Sequence, residues 1–385
     1  MLTAAKALVP ASWGRVPLRY VIVGATFLSL ILLLATNHTR SYLPSWPSQA
    51  SAPASSAGDI IPNTVHLVYI LPEDATDFTF QFSHFLCIFA ANHHLRPQTI
   101  YLHTNTDTHS AAYQRAANGT TGKWNRLIFT HFPHLQLRQV AVPTHASNGK
   151  ALQNMEHRSD FVRVRAVHDL GGVYLDWDAH ALRDLAPLRR AGFKAVGGRQ
   201  LGGQVNSGTF MSAAKGRLIR LWMERMGKVY TGGWTDHSNA ELTRIAERLV
   251  ADPGGREVLI MEREAFAPGS WQTEDTDMLF QVHEDAPSAL EGKKQGDGLA
   301  EYREGFEERW DHPERFPKWA RDWSATYLLH AFSPHRWGHK VPGFEQITPR
   351  YVLERRSNFA RAVYPMAKLM YDQGLIEIDD PWSGT

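Results

Sequence analysis

The chain has a single cysteine, Cys87, among 385 residues. One thiol cannot close an intramolecular disulfide or supply a cysteine-rich zinc site, so the fold must be held by its core. An excess of either charge is also lacking. Lys and Arg number 41 against 39 Asp and Glu, and the resulting +2 is far from a basic field of the kind that holds nucleic acid. No nucleic-acid partner is expected. No internal repeat occurs, and beyond residue 36 no apolar run is long enough to span a bilayer.

What is present is a packed globular chain. Hydrophobic residues make up 43% and charged residues 21%, outside the range of disordered sequences. The 12 Trp, 12 Tyr and 18 Phe are ample for a large core. The length allows two or three domains at about 150 residues each.

The longest apolar stretch runs from Leu18 to Thr36, with an uncharged centre from Val21 to Ala35. As a helix it would span roughly 28 Å, close to the hydrocarbon thickness of a bilayer. Lys6, Arg15 and Arg19 precede or open it, and Arg40 alone follows closely. The positive-inside rule then places residues 1–17 in the cytosol and the remainder in the lumen or outside. A cleaved signal would have a shorter apolar centre and a better cleavage site than Ala35-Thr36-Asn37. A buried helix here would have nothing to pack against. The expectation is a transmembrane signal anchor over 18–36. Residues 37–59, rich in Ser, Pro and Ala, read as a disordered stem. Two glycosylation sequons occur, at Asn37 and Asn118.

From residue 60 to 385 the pattern predicts one luminal α/β domain. Strands are expected over 64–70, 99–104, 135–142, 172–175, 193–196 and 207–212. Helices are expected over 78–93, 110–117, 156–170, 217–230, 239–250 and 364–370, with an elaborated loop over 292–323. Alternation of this kind predicts a mainly parallel, twisted sheet with helices on both faces. Ligands on such sheets lie beyond the carboxyl ends of the strands.

The most informative segment runs from Ser159 to Asp178. Asp160 and Arg163 are three apart and share a helical face. Gly171-Gly172 stops the helix. A short strand then carries Asp176 and Asp178 to its carboxyl end, where residues two apart project to one side. Two carboxylates so placed suit Mg²⁺ or Mn²⁺, which would neutralise a leaving diphosphate. By itself a D-x-D is commonly a solvated turn; the helix with Asp and Arg and the Gly-Gly stop make this one rarer.

Ser159, Asp160, Arg163, Gly171, Gly172, Tyr174, Asp176 and Asp178 follow the pattern S-D-x-x-R-x-x-x-L-x-x-x-G-G-x-Y-x-D-x-D, with Val167 in place of Leu. The segment resembles the D-x-D region of glycosyltransferase family 32, which includes α-1,6-mannosyltransferases, mannosyltransferases acting on inositol phosphoceramide, and α-1,4-galactosyl- and N-acetylglucosaminyltransferases. Ile61 to His66 is similar to the family's opening I-P-x-x-I-H strand, with Tyr69 where Trp is common. Asn206 to Ala213, Glu241 to Arg244, Phe266 to Pro268 and Leu329 to Phe332 resemble later elements in order. Ser238-Asn239 stand where a Gly-Pro is usual.

The resemblance implies a GT-A-like fold and a retaining transferase that takes a nucleotide-diphosphate sugar, uses Mn²⁺ or Mg²⁺, and serves a glycan or glycolipid acceptor. Asp176 and Asp178 would be the catalytic and metal-binding pair. His330 would complete the metal site, since neutral imidazole suits Mn²⁺. Asp160 and Arg163 would hold donor sugar and diphosphate, or form only a helix-surface ion pair. His66, Tyr174, Asn206 and Ser207 are further donor-side candidates. For His66 a structural role is equally open, for Tyr174 core packing, and for Asn206 and Ser207 a plain turn. GDP-mannose is the expected donor, with UDP-galactose and UDP-N-acetylglucosamine as alternatives. Anchor, stem and resemblance together imply a type II Golgi membrane protein.

No carboxylate stands out as a nucleophile, which favours front-face attack with the leaving phosphate as base. A phosphatase using the first Asp would need Thr, Ser or Val soon after the second; Ala179-His180 follow instead. A non-catalytic luminal scaffold is the other rival reading.

Overall fold

The computed structural model describes residues 60–252, 254–302, 306–335 and 338–384. The expected tail, anchor and stem lie outside these residues. Among the described residues no helix is long and apolar enough to cross a membrane.

The main sheet has seven strands: β1 (Thr64–Val68), β2 (Thr99–Thr104), β3 (Leu135–Gln139), β4 (Gly172–Leu175), β6 (Ala195–Arg199), β7 (Val205–Ser212) and β8 (Val258–Met261). Their order is β3-β2-β1-β4-β7-β6-β8. A second, two-stranded sheet pairs β5 (Ala179–Ala181) with β9 (Leu328–His330). The main helices are α1 (Phe82–Leu95), α2 (Met155–Leu170), α3 (Arg217–Val229), α4 (Glu241–Val250) and α5 (Asn358–Asp372). Every residue of β1, β2, β4 and β7 is buried. Side chains alternate along a strand, so full burial means that both faces of the central sheet are covered.

The sheet is mainly parallel, but β7 is not. It runs antiparallel to both β4 and β6. The cause is local. Gly202 and Gly203 both take positive φ, at 82° and 81°, and Gln200 N–H donates to the Gln204 carbonyl at 2.8 Å, closing a hairpin between β6 and β7. The hairpin returns the chain beside β4 and places residues 206–208 next to the end of the D-x-D strand.

Several elements differ from the pattern-based expectation. The C-terminal helix α5 is fifteen residues long, more than twice the length expected. Its span contains Pro365, which suggests a stop at the sequence level; the helix continues because its buried face packs into the core. A helix at Lys123–Thr130 has a glycine at its N-cap with φ 109° and no side-chain cap, so it lacks the usual start signal. Strands β5, β8 and β9 are three or four residues long, below the length at which periodicity is readable. The expected loop over 292–323 contains a short helix at Phe306–Asp311. Helix α4 begins at Glu241, not 239, because a single π-helical turn, Asp236–Ala240, precedes it.

Gly171 and Gly172 show why the α2 stop needs glycine. Both have positive φ, 67° and 118°. A Cβ on Gly171 would lie 2.6 Å from the Ala214 backbone nitrogen. One on Gly172 would lie 2.6 Å from the Thr64 carbonyl oxygen. The tight exit from α2 is thus pressed directly against β1 and the chain after β7.

Candidate active site

A cleft of about 1170 Å³ opens where β1 and β4 end. Val68, Tyr69 and Ile70 line it from the first strand, and Asp176, Trp177 and Asp178 from the fourth. Trp177 turns inward: its indole N–H donates to the Val68 carbonyl at 2.8 Å, and its ring lies 4.9 Å from that of Phe80. Strand β4 ends at Leu175, and Asp176 to Asp178 form a tight turn in which the Ala179 N–H donates to the Asp176 carbonyl at 3.0 Å; with the middle residue anchored, this turn, not the strand alternation expected, brings the two carboxylates to one side.

His330 reaches the pair from 152 residues downstream through the small sheet. Ala179 in β5 pairs with His330 in β9, and the Ala331 N–H donates to the Asp178 carbonyl at 2.9 Å. Ligand atoms of Asp176, Asp178 and His330 all lie within 4.8 Å of one another. His330 Nε2 is 3.1 Å from Asp178 Oδ1 and 3.9 Å from Asp176 Oδ2. Asn206 Nδ2 lies 3.0 Å from His330 Nδ1, so Nε2 is the nitrogen turned toward the carboxylates. Asn206 is itself fixed, since its Oδ1 accepts from the Gly208 and Thr209 amides at 2.6 and 3.1 Å.

The residues fit a hard divalent cation. Two carboxylates and an imidazole are a suitable donor set for Mn²⁺ or Mg²⁺. The space beside them is also kept clear by Gly208, where a Cβ would lie 2.4 Å from Asp176 Oδ2 and 2.8 Å from His330 Cε1.

Asp176 is the most constrained of the three. The Tyr174 hydroxyl donates to its Oδ1 at 2.6 Å. Arg163 lies 3.2 Å from Oδ1 and donates to Oδ2 at 3.4 Å. The Arg163 guanidinium also donates to the Ser207 carbonyl at 3.0 Å, sits 3.2 Å from Asp160, and stacks 4.6 Å from the Tyr174 ring. Asp160 and Arg163 are both buried, so the pair that the helical spacing suggested is an internal one, not a surface pair. The Ser207 amide is held by Asn239 Oδ1 at 2.9 Å.

The charges in this cluster settle in opposite directions. Burial raises the Asp176 carboxyl, with Arg163 opposing and Asp178 adding to the rise. For Asp178 burial acts the same way, but attraction to His330 and the hydrogen bond with it prevail and hold the carboxyl at about 2. Burial works to lower His330; Asp178, helped by Asp176, outweighs it and raises the imidazole above its ordinary value. A metal ligand must be neutral imidazole, so the ion has to displace a proton from His330 at any pH below that raised value. Mn²⁺ affinity is therefore expected to fall as pH drops below that raised value, by about tenfold per unit at the acid end. Calorimetric titration of Mn²⁺ at pH 7.5 and 5.5 checks this. Equal affinities, or an identical slope in His330→Ala, would count against it.

The structure brings together seven of the residues singled out from sequence: Asp160, Arg163, Tyr174, Asp176, Asn206, Ser207 and His330 all line the cleft beside Asp178. His66 is the exception. It is fully buried beside β4, in register with Tyr174, and does not line the cleft. Its Nε2 is 2.7 Å from the Gly171 carbonyl and its Nδ1 2.9 Å from His103 Nε2. Burial lowers its pKa to about 4, leaving a neutral ring committed to the sheet. The expected donor contact by His66 is thus replaced by a structural role. Gly208 and Asn239 were given no site role from sequence, although each lies in or beside a segment that the resemblance covers, because their contacts with Asp176, His330 and Ser207 are made across the fold.

An α/β protein with an acid–imidazole cluster at the carboxyl edge of its sheet is the class that fold and site define. Residues 89–194, which contain the helix, the glycine stop and the D-x-D, match the family model described as "Glycosyltransferase sugar-binding region containing DXD motif". Among curated proteins, "Glucan organizing enzyme 1" of Cryptococcus neoformans is 31% identical over 134 residues. That match covers 34% of this chain and 32% of the relative, so the aligned part spans about a third of each. Solved structures with a similar course include the galactosyltransferase LgtC in complex with donor and acceptor sugar analogues. It is 14% identical, with a TM-score of 0.37, covering 81% of this chain and all of that one. The glycosyltransferase GlyE of Streptococcus pneumoniae is 14% identical with a TM-score of 0.37, covering 82% of this chain and 62% of that one.

Proposed function

We propose that the protein is a retaining, metal-dependent glycosyltransferase of GT-A-like type. It would move a hexose from a nucleotide-diphosphate sugar to a glycan or glycolipid acceptor. The observation that carries this reading is the Asp176, Asp178 and His330 cluster at the floor of a large cleft, beside a buried Asp160–Arg163 pair. GDP-mannose is the donor we put first, with UDP-galactose and UDP-N-acetylglucosamine next. The apolar run at 18–36 and its flanking charges support a type II anchor in the Golgi membrane.

Asp176, Asp178 and His330 would hold Mn²⁺ or Mg²⁺. When bound, the ion supplies Lewis-acid neutralisation of the leaving diphosphate. The chain's own part is positioning. Arg163 is locked by Asp160, Asp176 and the Ser207 carbonyl, so its charge is fixed in place before the donor arrives. Tyr174 orients Asp176. Four carboxylates line the cleft. Three are engaged, by Arg163, by Tyr174 or by His330, and the fourth, Glu156, is exposed. This distribution supports front-face attack, in which the acceptor enters on the side the diphosphate leaves and a phosphate oxygen takes its proton.

The test is donor cleavage by the purified full-length protein. GDP-mannose, UDP-galactose, UDP-N-acetylglucosamine and UDP-glucose are offered with Mn²⁺ and with chelator, without acceptor and then with mannose- and glucose-containing oligosaccharides. Mn²⁺-dependent cleavage of one donor, accelerated by one acceptor, is the expected result. Failure to bind any donor under either condition would replace the transferase reading with a scaffold.

A further inference from the structure

His237 is fully buried, lies 77 residues from the carboxylate it touches, and has no part in the site as described so far. Its Nε2 is 2.8 Å from Asp160 Oδ2. An ionised carboxylate only accepts, so Nε2 is the donor and carries the proton. Its ring lies in a pocket of other rings: stacked on Phe161 at 5.7 Å, and edge-on to His157 at 4.7 Å and Tyr230 at 5.0 Å. Its backbone carbonyl is pinned by the Trp222 indole N–H at 2.8 Å. The residue sits in the π-helical turn Asp236–Ala240. A π turn adds a residue to a helix and is costly, so it persists where the added residue has a task. The same turn supplies Asn239, whose side chain holds the Ser207 amide.

We propose that His237 is a positioning residue for the glycosyl transfer. It rests on the reading above and extends it. His237 clamps Asp160, Asp160 aims the Arg163 guanidinium at 3.2 Å, and Arg163 meets both Asp176 and the Ser207 carbonyl. Arg163 is held in this pose jointly by Asp160, Asp176, the Ser207 carbonyl and the Tyr174 ring, and Asp160 is the one of these that His237 holds in turn. Without the His237 hydrogen bond, Asp160 Oδ2 loses its partner and the carboxylate is free to turn, carrying the guanidinium away from the diphosphate position. Asn239, from the same turn, fixes the strand end that Arg163 grips from the other side. The π turn is thus a brace between α2 and β7, and both of its contacts converge on the place where the leaving group would develop charge.

The experiment compares His237→Ala, His237→Gln and His237→Asn in the full-length protein, each alone and with Asp160→Asn. Glutamine can place an N–H near the imidazole Nε2 position; asparagine is too short. Turnover of the donor is expected to fall about 10- to 100-fold in the alanine and asparagine variants, in the range seen when partners of this kind are removed. The glutamine variant should recover most of it. In the Asp160→Asn background the His237 substitutions should add nothing, because the route to the site is already cut. Losses that multiply in full, a glutamine variant no better than asparagine, or an alanine variant within threefold of the parent would overturn the proposal. If alanine does not fold, the glutamine and asparagine pair carries the comparison. If the parent cleaves no donor, the transferase reading has failed and the role in transfer with it, while crystal structures of the parent and His237→Asn still decide whether His237 holds Arg163 in place. Arg163 displaced from Asp176 in the variant supports it; Arg163 unmoved refutes it.

Discussion

Asp178→Ala is expected to lower donor turnover roughly 10³-fold, the equivalent of about 4 kcal/mol of transition-state stabilisation. Asp178 contributes the least encumbered carboxylate of the site. Its side chain is about 40% exposed, and its recorded partner is His330. Its carboxyl is held at about 2, so it is ionised at any working pH. Removing it takes away one of two anionic ligands and frees the His330 imidazole. The fold should lose only a little. Asp178 raises its neighbour Asp176 by like-charge repulsion, but its own lowered carboxyl and the raised His330 imidazole show that the attraction between those two prevails, and this goes with it. The variant should melt slightly below the parent's temperature while Mn²⁺ binding collapses. Turnover within tenfold of the parent, or a variant that does not fold, would contradict this account.

Gly172→Ala should do the opposite and act on the fold. Gly172 has φ 118°, and a Cβ there would lie 2.2 Å from Thr64 Oγ1 and 2.6 Å from the Thr64 carbonyl oxygen. The carbonyl belongs to β1 and cannot rotate away as a side chain can. Thr64 Oγ1 is also committed, donating to the Gly171 carbonyl at 3.1 Å. The variant must therefore strain the backbone and separate β1 from β4 at the centre of the sheet. The expected loss is about 3 kcal/mol, read as a lower urea midpoint. Gly298→Ala is the control: it has open space around it and should leave the midpoint unchanged. An unchanged midpoint in Gly172→Ala would show that the turn is looser than these distances state.

What the sequence determined is what lies close together along the chain. Asp160, Arg163, the two glycines, Tyr174 and the two aspartates fall within 19 residues, and each relation among them is local. Helical spacing sets Asp160 beside Arg163, the glycines turn the chain, and a tight turn at the end of β4 brings Asp176 and Asp178 to one side. Local geometry transfers from sequence to structure because it needs no distant partner. The central strands were legible for a similar reason: β2 and β4 are continuous runs bounded by turn residues, and both have the bounds that the pattern predicts.

The tertiary structure decided everything that depends on which strands become neighbours. His330 was named as a metal ligand from sequence only through the family resemblance, and the β5–β9 pairing is what carries it to the aspartates. Asn206 and Ser207 came to the site because a two-glycine hairpin reversed β7, which sequence alternation alone would have read as parallel. His66 shows the converse. Its place at the mouth of the opening strand made it a donor-side candidate with a structural role equally open, and the β1–β4 register set it beside Gly171 and sealed it in the sheet. His237 carried no signal at all, since its meaning lies wholly in a carboxylate 77 residues away. Strand order and register are set by the joint burial of both sheet faces and by loop geometry, summed over the whole domain. No segment contains that sum, so most residues of the site could be named from the sequence and the way they meet could not.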